Sequence, residues 1–493
     1  MKSTPFKYIL GAMNEMDFDV AVIGGGSGGY AAARITAKSG LRTAVIEGGE
    51  EVGGLCILRG CMPTKALLYA AYVKRLAQHP ETWGIHTGGA TVNFPEVMAR
   101  KTAMVKEFAD YRAGQLKNGA FKFIRANARF LDPHKLALGT GEKLTAKKFL
   151  ISTGSTVAPS PFPFLDELDC LDSDSALSLT ELPKSMIVLG GGAVAIEFAQ
   201  IFARLDVKVT LIQRSSHLLP SFDEDAADEL AKVFRREGMT VYTGTKLTGA
   251  ARKTGMKQVT FEHDGKTGTV EAQEVLYALG RIPNTASLGL DKAGVETEKH
   301  RIITSSTMQT SAKHIYAAGD CTGPHEIVHL AVTQGEIAGH NLLKHDKPRH
   351  MDYRLLISIV FTEPQAATVG LTEKEAKKKN IPYVTASYPF ADHGKSLIME
   401  AKDGFVKLLA DPKTGEIIGG ACIGPIGGEL IHEIVAAMYK RMNVAELAAM
   451  PHYHPTLMEI WTYPAEELAE KIPGYIPGYV PLDFVAHERH KGG

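Results

Sequence analysis

The sequence predicts an α/β fold built from two βαβ units, followed by a smaller α+β domain. Three observations support this expectation. A buried strand, Phe18–Ile23, leads into a glycine run, and the same order recurs from Ser185. The residue that ends the second strand lies equally far from the first glycine in the two copies. After about residue 350, strand-like segments, such as Tyr353–Phe361, and helix-like segments mix without this pattern.

The first unit contains a G-x-G-x-x-G motif formed by Gly24, Gly26 and Gly29. An alanine-rich helical stretch follows, and then a strand from Thr43 that ends at Glu47. In such units the glycines let the backbone approach a pyrophosphate, and the acidic residue meets the adenosine ribose. We therefore expect a bound dinucleotide. A single motif of this kind is weak, but its duplication with matched spacing makes an ordinary glycine turn a poor alternative.

The second unit repeats the plan with two substitutions that matter for its ligand. Gly190 and Gly192 occupy the first two glycine positions, Ala195 takes the third, and the second strand ends at Gln213 instead of a carboxylate. A carboxylate there would repel a 2′-phosphate, whereas Arg214 next to it supplies a cation. The sequence therefore favours NADPH over NADH, the alternative being that Arg214 is a surface charge.

Composition excludes several classes of protein. The chain has 493 residues, with 55 Lys plus Arg and 55 Asp plus Glu, so its formal net charge is zero and a nucleic-acid partner is not expected. No uncharged apolar run approaches the roughly 20 residues that span a bilayer, so no membrane insertion is expected. Five cysteines are too few for a disulfide scaffold, and residues 1–16 lack a signal-peptide pattern, so a cytoplasmic location is expected.

A cysteine pair lies directly after the first unit. Cys56 and Cys61 are followed by Lys65 in a stretch that runs into a predicted helix. Zinc would need a second pair with different spacing, and two buried structural cysteines remain the plainer alternative. We favour a redox-active disulfide, because a helix N-terminus and a nearby lysine both stabilise a thiolate.

These motifs together resemble the class I pyridine nucleotide-disulfide oxidoreductases, the family of dihydrolipoamide dehydrogenase, glutathione reductase and mercuric reductase. The resemblance is carried by GGxCxxxxCxPxK after the first glycine motif, by Gly319-Asp320, and by the late HPTLME segment. It covers the chain from about Asp19 to about Leu468. It implies two Rossmann-like dinucleotide-binding domains, for FAD and for NAD(P), plus a C-terminal α+β dimerisation domain.

The resemblance also implies residue roles. In the first unit, the glycines would approach the FAD pyrophosphate, Glu47 the ribose and Asp320 the ribityl chain, while Lys65 and Glu197 would pair beside the flavin. Cys61 would face the flavin and Cys56 would attack substrate. Further cofactor contacts are expected at Gly54, Thr153, Gly154, Glu326 and His329 for FAD, and at Gly190, Gly192, Ala195, Gln213, Arg214 and Gly280 for the nicotinamide nucleotide.

His454 begins the HPTLME segment and resembles the family's acid/base, oriented by Glu459. Imidazole suits this work because it titrates near neutrality and a carboxylate on its other nitrogen fixes the tautomer. In the family this histidine serves the disulfide of the partner subunit. The resemblance therefore implies a homodimer whose active sites are shared between subunits.

The domain boundaries follow from the proline-rich segment Ala158–Pro163, from the exit LGRIPN at Leu279–Asn284 and from the change after residue 350. The expected organisation is an N-terminal extension (1–16), the first part of the FAD-binding domain (17–160), the NAD(P)-binding domain (161–283), the second, central part of the FAD-binding domain (284–350), the dimerisation domain (351–470) and a C-terminal tail (471–493) that begins as an extended IPGYIPGYVP segment.

The string His325-Glu326-Ile327-Val328-His329 fits the zinc-protease pattern HExxH. No clear third ligand accompanies it, and it falls where the family has a helix that contacts the flavin. We therefore expect these residues to line the flavin site and expect no metal.

The substrate is expected to be a small disulfide, and the family members fit unequally. Mercuric reductases carry a late cysteine pair, but no cysteine follows Cys422. Arg34 could grip glutathione, yet Glu336 stands where another arginine is expected. HPTLME is closest to dihydrolipoamide dehydrogenase, whereas Gln213 and Arg214 oppose that enzyme's usual NAD. A flavin-carrying binding subunit without turnover and a flavin oxidase are the alternatives from other classes; neither needs both a cysteine pair and an acid/base.

Overall fold

The structure is a computed structural model that describes residues 16–343 and 346–472. Nearly all of the N-terminal extension lies outside these residues, as does the predicted extended tail apart from Ile472. The described chain groups into two compact units. Unit 1 comprises the described residues of Met1–Gly60, Met104–Thr156 and Arg281–Met351, and unit 2 those of Cys61–Ala103, Val157–Gly280 and Asp352–Gly493.

The strands are, in chain order, β1 (Phe18–Ile23), β2 (Thr43–Glu47), β3 (Lys122–Arg125), β4 (Ala128–Asp132), β5 (Lys135–Leu138), β6 (Lys143–Ile151), β7 (Ser155–Val157), β8 (Ser185–Leu189), β9 (Lys208–Ile212), β10 (Thr240–Tyr242), β11 (Lys246–Lys253), β12 (Met256–His263), β13 (Lys266–Ala272), β14 (Glu274–Tyr277), β15 (Arg281–Pro283), β16 (Thr297–Glu298), β17 (Arg301–Ile302), β18 (Ile315–Ala317), β19 (Ile357–Val360), β20 (Gln365–Gly370), β21 (Val384–Pro389), β22 (Phe405–Ala410) and β23 (Ile417–Gly424).

The α-helices are α1 (Ser27–Lys38), α2 (Leu55–Leu58), α3 (Cys61–Gln78), α4 (Phe94–Lys117), α5 (Ser173–Ala176), α6 (Ala193–Arg204), α7 (Glu224–Arg236), α8 (Val328–Leu342), α9 (Glu373–Lys379), α10 (Gly394–Ile398), α11 (Gly427–Tyr439), α12 (Val444–Ala449) and α13 (Thr462–Ala469). Short 3₁₀ turns occupy Pro80–Trp83, Pro163–Leu168, Leu290–Ala293, Asp320–Thr322, Tyr353–Leu355, Phe390–Asp392 and Met458–Trp461.

Unit 1 is built on a seven-stranded sheet ordered β3-β2-β1-β6-β5-β4, with β18 also paired to β6. The strands β3, β2, β1, β6 and β18 run parallel, and β4 and β5 complete it as an antiparallel edge. Val20, Ala21 and Val22 of β1 are fully buried, because a central parallel strand is covered on both faces. In this arrangement the turn after β1 lies at the carboxyl end of the sheet, where ligands of such folds bind.

Unit 2 contains the second βαβ repeat. Its parallel sheet has the order β10-β9-β8-β14, and Ser185 of β8 pairs with Lys208 of β9. The antiparallel ribbon β11-β12-β13 belongs to the same unit. Helix α6 begins directly after the second glycine turn and is almost entirely buried, including Phe198 and Phe202. The predicted strand-turn-helix order of both repeats is thus present.

The C-terminal part of unit 2 is a five-stranded antiparallel sheet, β19-β20-β23-β22-β21, covered by α11 and α13. The predicted strand from Tyr353 to Phe361 is shorter than expected. Asp352 caps a 3₁₀ turn by accepting the N–H of Arg354, and the strand begins only at Ile357. Among the described residues, no helix combines the length and the apolar character needed to cross a bilayer.

Candidate active site

The first glycine turn is sterically restricted to glycine at two positions. Gly24 has a φ of 102°, and a Cβ added there would collide with the carbonyl oxygen of Ser152. A Cβ at Gly29 would collide with the carbonyl oxygen of Gly24, which lets α1 start tightly against β1. Gly26 faces open space, the nearest atom to its added Cβ being the Cα of Gly54 at 3.9 Å. The turn therefore leaves bare backbone at the N-terminus of α1, a favourable place for phosphate.

Glu47 ends β2 and is tied to this turn by its carboxylate. Its two oxygens accept the backbone N–H groups of Gly25 and Gly49, each at 2.8 Å. The side chain is therefore held beside the turn, where the sequence predicted a ribose contact.

A polar cluster lies elsewhere in unit 1, around Asp320. The hydroxyl of Ser155 donates to Asp320 at 2.8 Å, and the guanidinium of Arg281 donates to the same hydroxyl oxygen at 2.9 Å. Burial raises the pKa of Asp320 despite these partners. The pKa of Glu326 is also raised, first by burial and then by the nearby negative charge of Asp320. Asp320 is partly buried and Glu326 is exposed, and two neighbouring carboxylates with raised pKa values are typical of a binding site.

Unit 1 also fits the FAD that the family implies. The hydroxyl oxygen of Thr153 is buried without a hydrogen-bond partner among the described residues, as are Nη1 of Arg112 and Oε1 of Gln115. Gly154 has a φ of 69° and nothing near its added Cβ. Buried polar atoms without a partner among the described residues suit a ligand with phosphates, hydroxyls and ring nitrogens.

The HExxH string does not lie on one helix. Helix α8 begins at Val328, so His325 and Glu326 precede it while His329 lies in its first turn. The one-face spacing of the zinc-protease helix is therefore not formed. Within the described ranges, no group of three or more His, Cys, Asp or Glu side chains is arranged to hold a metal ion.

Cys56 lies in the short helix α2 of unit 1 and is partly exposed. The guanidinium of Arg112, on α4, is close enough to Cys56 to interact with it electrostatically and lies 4.4 Å from the ring centroid of Tyr30. Burial lowers the pKa of Arg112. No motif marks Arg112 in the sequence, so sequence reasoning missed a cation that favours a Cys56 thiolate.

Cys61 is the first residue of the 18-residue helix α3 in unit 2. Its position at the helix N-terminus favours a thiolate, as the sequence predicted. One turn further along, the ammonium of Lys65 contacts both carboxylate oxygens of Glu197, at 2.8 and 3.0 Å. Glu197 is nearly buried on α6 and also accepts the backbone N–H of Phe361 at 2.9 Å. The structure thus brings Lys65 and Glu197 together across 132 positions of sequence.

The other three cysteines are poor candidates for redox chemistry. Burial raises the pKa of Cys321 to about 12 and that of Cys170 to about 11. The pKa of Cys422, which is fully buried, is raised as well. Since the thiolate is the reactive form, Cys56 and Cys61 are the better nucleophiles.

The second glycine turn differs from the first in its ribose position. Gly190 has a φ of 119°, and Gly192 faces open space. The side chain of Gln213 is buried against this turn and accepts the backbone N–H of Arg214 at 3.1 Å. Arg214 itself is exposed, and its guanidinium forms no ion pair with the part of the chain that the structure describes. Gly280, with a φ of 130°, follows β14 in the same unit.

His454 and Glu459 form the predicted pair in unit 2. Nδ1 of His454 lies 3.0 and 3.1 Å from the two carboxylate oxygens of Glu459. The carboxylate is almost buried and also accepts the N–H of Thr456 at 3.3 Å, whereas 75% of the His454 side chain is exposed. The imidazole therefore presents Nε2 to solvent, and the contact of Nδ1 with Glu459 fixes its tautomer.

Arg34 bears on the substrate question. In unit 1 its guanidinium lies 3.6 Å from the carboxylate of Glu336, and both side chains are exposed. A neighbouring carboxylate neutralises part of the charge with which Arg34 would bind an anionic peptide, which weakens the glutathione hypothesis further.

Comparisons with known proteins agree with this architecture. Residues 18–335 match the pyridine nucleotide-disulphide oxidoreductase family, and residues 356–465 match the dimerisation domain of that family. The chain is 37% identical to dihydrolipoyl dehydrogenase of Thermus scotoductus, covering 92% of this chain and 97% of the relative. It is 35% identical to the enzyme of the same name from Bacillus subtilis strain 168, covering 90% and 96%.

Two solved structures are similar over most of the chain. One is the HOCl-induced flavoprotein disulfide reductase RclA from Escherichia coli, with a TM-score of 0.81, 26% identity and coverage of 91% of this chain and 99% of that one. The other is LpdA from Mycobacterium tuberculosis, with a TM-score of 0.82, 28% identity and the same coverages. The predicted fold class, with FAD-binding, NAD(P)-binding and C-terminal dimerisation domains, is confirmed. The chain belongs to the pyridine nucleotide-disulphide oxidoreductase family and is a flavoprotein disulfide oxidoreductase.

Proposed function

We propose that the protein uses NADPH to reduce a small disulfide, with FAD as resident cofactor and Cys56 and Cys61 as the redox-active pair. The observation that carries the choice of nucleotide is the end of β9. There the side chain of Gln213 is neutral and packs against the glycine turn, and Arg214 is exposed and has no ionic partner among the residues that the structure describes. A 2′-phosphate would meet a cation there and no carboxylate.

The chain's own groups hold the cofactors in this proposal. The backbone of the turn Gly24–Gly29 would bind the FAD pyrophosphate, and Glu47 would bind the ribose. Asp320 and Thr153 would bind other polar atoms of FAD. Bound FAD would supply the redox chemistry that links the reduced nicotinamide to the Cys56–Cys61 disulfide. Lys65, held by Glu197, would supply a positive charge for this transfer.

The thiols then carry out two exchange reactions. The Cys56 thiolate attacks one sulfur of the substrate disulfide, so that a mixed disulfide forms and the first substrate thiolate leaves. The Cys61 thiolate attacks Cys56, which restores the protein disulfide and releases the second thiolate. Each leaving thiolate takes up one proton, so one NADPH and one proton convert one disulfide to two thiols.

His454 supplies the proton to the first leaving group. Its exposed Nε2 can donate while Glu459 holds Nδ1. Following the family resemblance, we propose that His454 acts on the cysteine pair of the other subunit of a homodimer formed through the dimerisation domain.

A second candidate function is dihydrolipoamide oxidation with NAD. It is favoured by the relatives at 34 to 37% identity, which carry the name dihydrolipoyl dehydrogenase. The HPTLME segment agrees with it as well. Gln213 and Arg214 oppose it, so nucleotide preference separates the two candidates.

The test is an anaerobic titration of the purified yellow protein with NADPH, followed by thiol counting and a screen of small disulfides. We expect two new thiols per chain, and we expect their appearance to be lost in Cys56→Ser and Cys61→Ser but kept in Cys170→Ser, the matched control. A thiol count that does not change on reduction would remove the redox disulfide. Faster turnover of dihydrolipoamide with NAD than of any small disulfide with NADPH would replace the first candidate by the second.

The shared site is tested by mixing a Cys56→Ser homodimer with a His454→Gln homodimer. Subunit exchange restores one complete site only if each site draws Cys56 and His454 from different chains. We expect activity to reappear after exchange. Persistent inactivity in mixed dimers would place both residues of a site in one chain.

A further inference from the structure

A second histidine lies behind the His454–Glu459 pair. His393 precedes α10 and its side chain is completely buried. Its Nε2 lies 3.4 Å from Oε1 of Glu459, while Nδ1 of His454 contacts the same carboxylate at 3.0 and 3.1 Å. Glu459 is therefore shared by two imidazoles, one exposed and one buried. Neither the motifs nor the resemblance singled out His393.

Ser396 contacts the other ring nitrogen of His393. Its hydroxyl is fully buried and lies 2.9 Å from Nδ1 of His393. If the hydroxyl donates to Nδ1, the proton of a neutral imidazole must be on Nε2, the nitrogen nearest Glu459. Burial lowers the pKa of His393 while the Glu459 carboxylate opposes this shift. Nε2 itself is buried and has no hydrogen-bond partner of good geometry among the described residues, so an N–H there has the Glu459 carboxylate, 3.4 Å away, as the acceptor within reach.

The surroundings keep the His393 ring in place. Phe390 and Tyr463 meet it edge-on, with ring centroids at 6.5 and 6.3 Å, and Tyr463 stacks on Tyr388 at 4.0 Å. The next residue, Gly394, lies close to the exposed histidine: a Cβ added there would be 3.8 Å from Cε1 of His454. The segment from His393 to Ser396 thus supports both members of the pair.

We propose that His393 is a positioning residue that donates Nε2–H to Glu459 and thereby sets how tightly Glu459 holds the proton of His454. This inference rests on the proposed role of His454 as the acid in disulfide reduction. His393 does not touch substrate; it acts through the carboxylate.

Loss of the His393 donor should change the pH dependence of disulfide reduction. The groups that face His393 are Glu459, His454 and the phenol of Tyr463, and among these Glu459 supplies the negative charge. A donor from His393 takes up part of that charge, so less remains to hold the proton on His454. Without His393, the proton should stay on His454 to higher pH. Disulfide reduction, which needs the protonated imidazole, should therefore persist further into the alkaline range.

The test is the pH profile of kcat/KM for disulfide reduction by the flavin-loaded holoenzyme. His393→Leu removes the donor, His393→Gln keeps an N–H donor, and Ser396→Ala keeps the imidazole but frees its tautomer. We expect the alkaline limb of His393→Leu to move up by about half a pH unit and its kcat to fall by about threefold or more, as for a displaced hydrogen bond. His393→Gln should retain the wild-type limb, and Ser396→Ala should shift it in the same direction as His393→Leu by a smaller amount.

The control is His432→Gln on α11, which removes an exposed imidazole of unit 2 whose Nδ1 lies 2.8 Å from the carbonyl oxygen of Gly428. It should leave the limb where it is. A fall in kcat/KM at every pH without movement of the limb, in both His393→Leu and Ser396→Ala, would make His393 merely structural and overturn the proposal. If His393→Leu does not fold, Ser396→Ala decides alone.

Parallel measurements on His454→Gln separate this inference from the function on which it rests. If His454→Gln slows turnover and abolishes the alkaline limb while the His393 variants leave the limb unmoved, only the role of His393 fails. If His454→Gln turns over like the wild type, the proposed acid itself is wrong. NADPH-dependent appearance of the two thiols should be normal in all these variants, because it precedes the proton transfer.

Discussion

The two glycine turns of this chain share the same strand-turn-helix order but differ at the position expected to contact the ribose. In unit 1 the ribose position is the carboxylate of Glu47, fixed by two backbone N–H groups. In unit 2 it is the amide of Gln213, and the neighbouring charge, Arg214, is left in solvent. We infer that the first turn is preorganised for a ligand that stays and the second for one that arrives with an extra phosphate and leaves.

The difference extends to the third motif position. In unit 1 this is Gly29, where an added Cβ would meet the carbonyl oxygen of Gly24. In unit 2 it is Ala195, which is fully buried and carries its Cβ without conflict. The first helix therefore begins closer to its own turn than the second, which brings bare backbone N–H groups nearer to the phosphate position.

The largest effect should come from replacing each of these two residues by the other, in two separate variants. Gly29→Ala must push α1 away from the turn, so we expect loss of bound FAD and of all NADPH-dependent activity, with a stability loss of about 2 kcal/mol or more for an overpacked site. Ala195→Gly, the matched control, should cost only about 1 kcal/mol of helix propensity and keep FAD. The flavin absorbance of the purified variants and thermal unfolding measure both. A yellow, active Gly29→Ala protein would show that the two turns are interchangeable.

The sequence revealed the plan because glycine at a positive φ and apolar strands leave local signals. Gly24, Gly190 and both strand-turn-helix orders follow from such signals, as does Cys61 at the start of α3. His454 and Glu459 lie five positions apart, and the structure pairs them as their motif predicted. The strand predicted from Tyr353 began late because a side-chain cap at Asp352 favoured a turn over strand propensity.

Other site features arise only from long-range packing. Arg112 reaches the region of Cys56 and Tyr30 from a different helix, and His393 reaches Glu459 across 66 positions of sequence with no motif of its own. The polar atom of Thr153 is left without a described partner only because the surrounding strands bury it. Burial and tertiary contact decide such features, and neither has a periodicity that can be read along the chain.

The next effect sharpens the contrast between Glu47 and Gln213. The double variant Gln213→Glu/Arg214→Phe gives the second turn the carboxylate of the first and removes its cation. We expect the ratio of kcat/KM for NADPH to that for NADH to fall by about 10²-fold or more, from a lost charge-assisted contact and an added repulsion. FAD content should not change, since unit 1 is untouched.

Lys232→Met is the control for a lost surface charge, because Lys232 is exposed on α7 of the same unit. It should leave the nucleotide preference as it is. Wild-type protein that already prefers NADH would refute the argument from Gln213 and Arg214, and a double variant with an unchanged ratio would show that the 2′-phosphate is recognised elsewhere.

The smallest expected effect concerns Asp320, a partly buried carboxylate of unit 1. The second turn has no such charge at Gln213, whose side chain is neutral. Burial raises the pKa of Asp320, so its contribution to stability is fully present below its unfolded pKa, 3.8, and is lost as the pH rises through the higher folded value. Asp320→Asn should therefore gain stability relative to the wild type as the pH of the flavin-free protein rises.

Asp132→Asn in the same unit is the opposite case, because the backbone N–H of His134 lowers the pKa of Asp132. That carboxylate stabilises the fold above pH 3.8 and loses its effect as the pH falls, so this variant should lose stability relative to the wild type as the pH rises. Thermal unfolding followed from about pH 3 to about pH 8 measures both differences. Parallel trends in the two variants would mean that Asp320 carries no burial cost and that unit 1 is not preorganised at that residue.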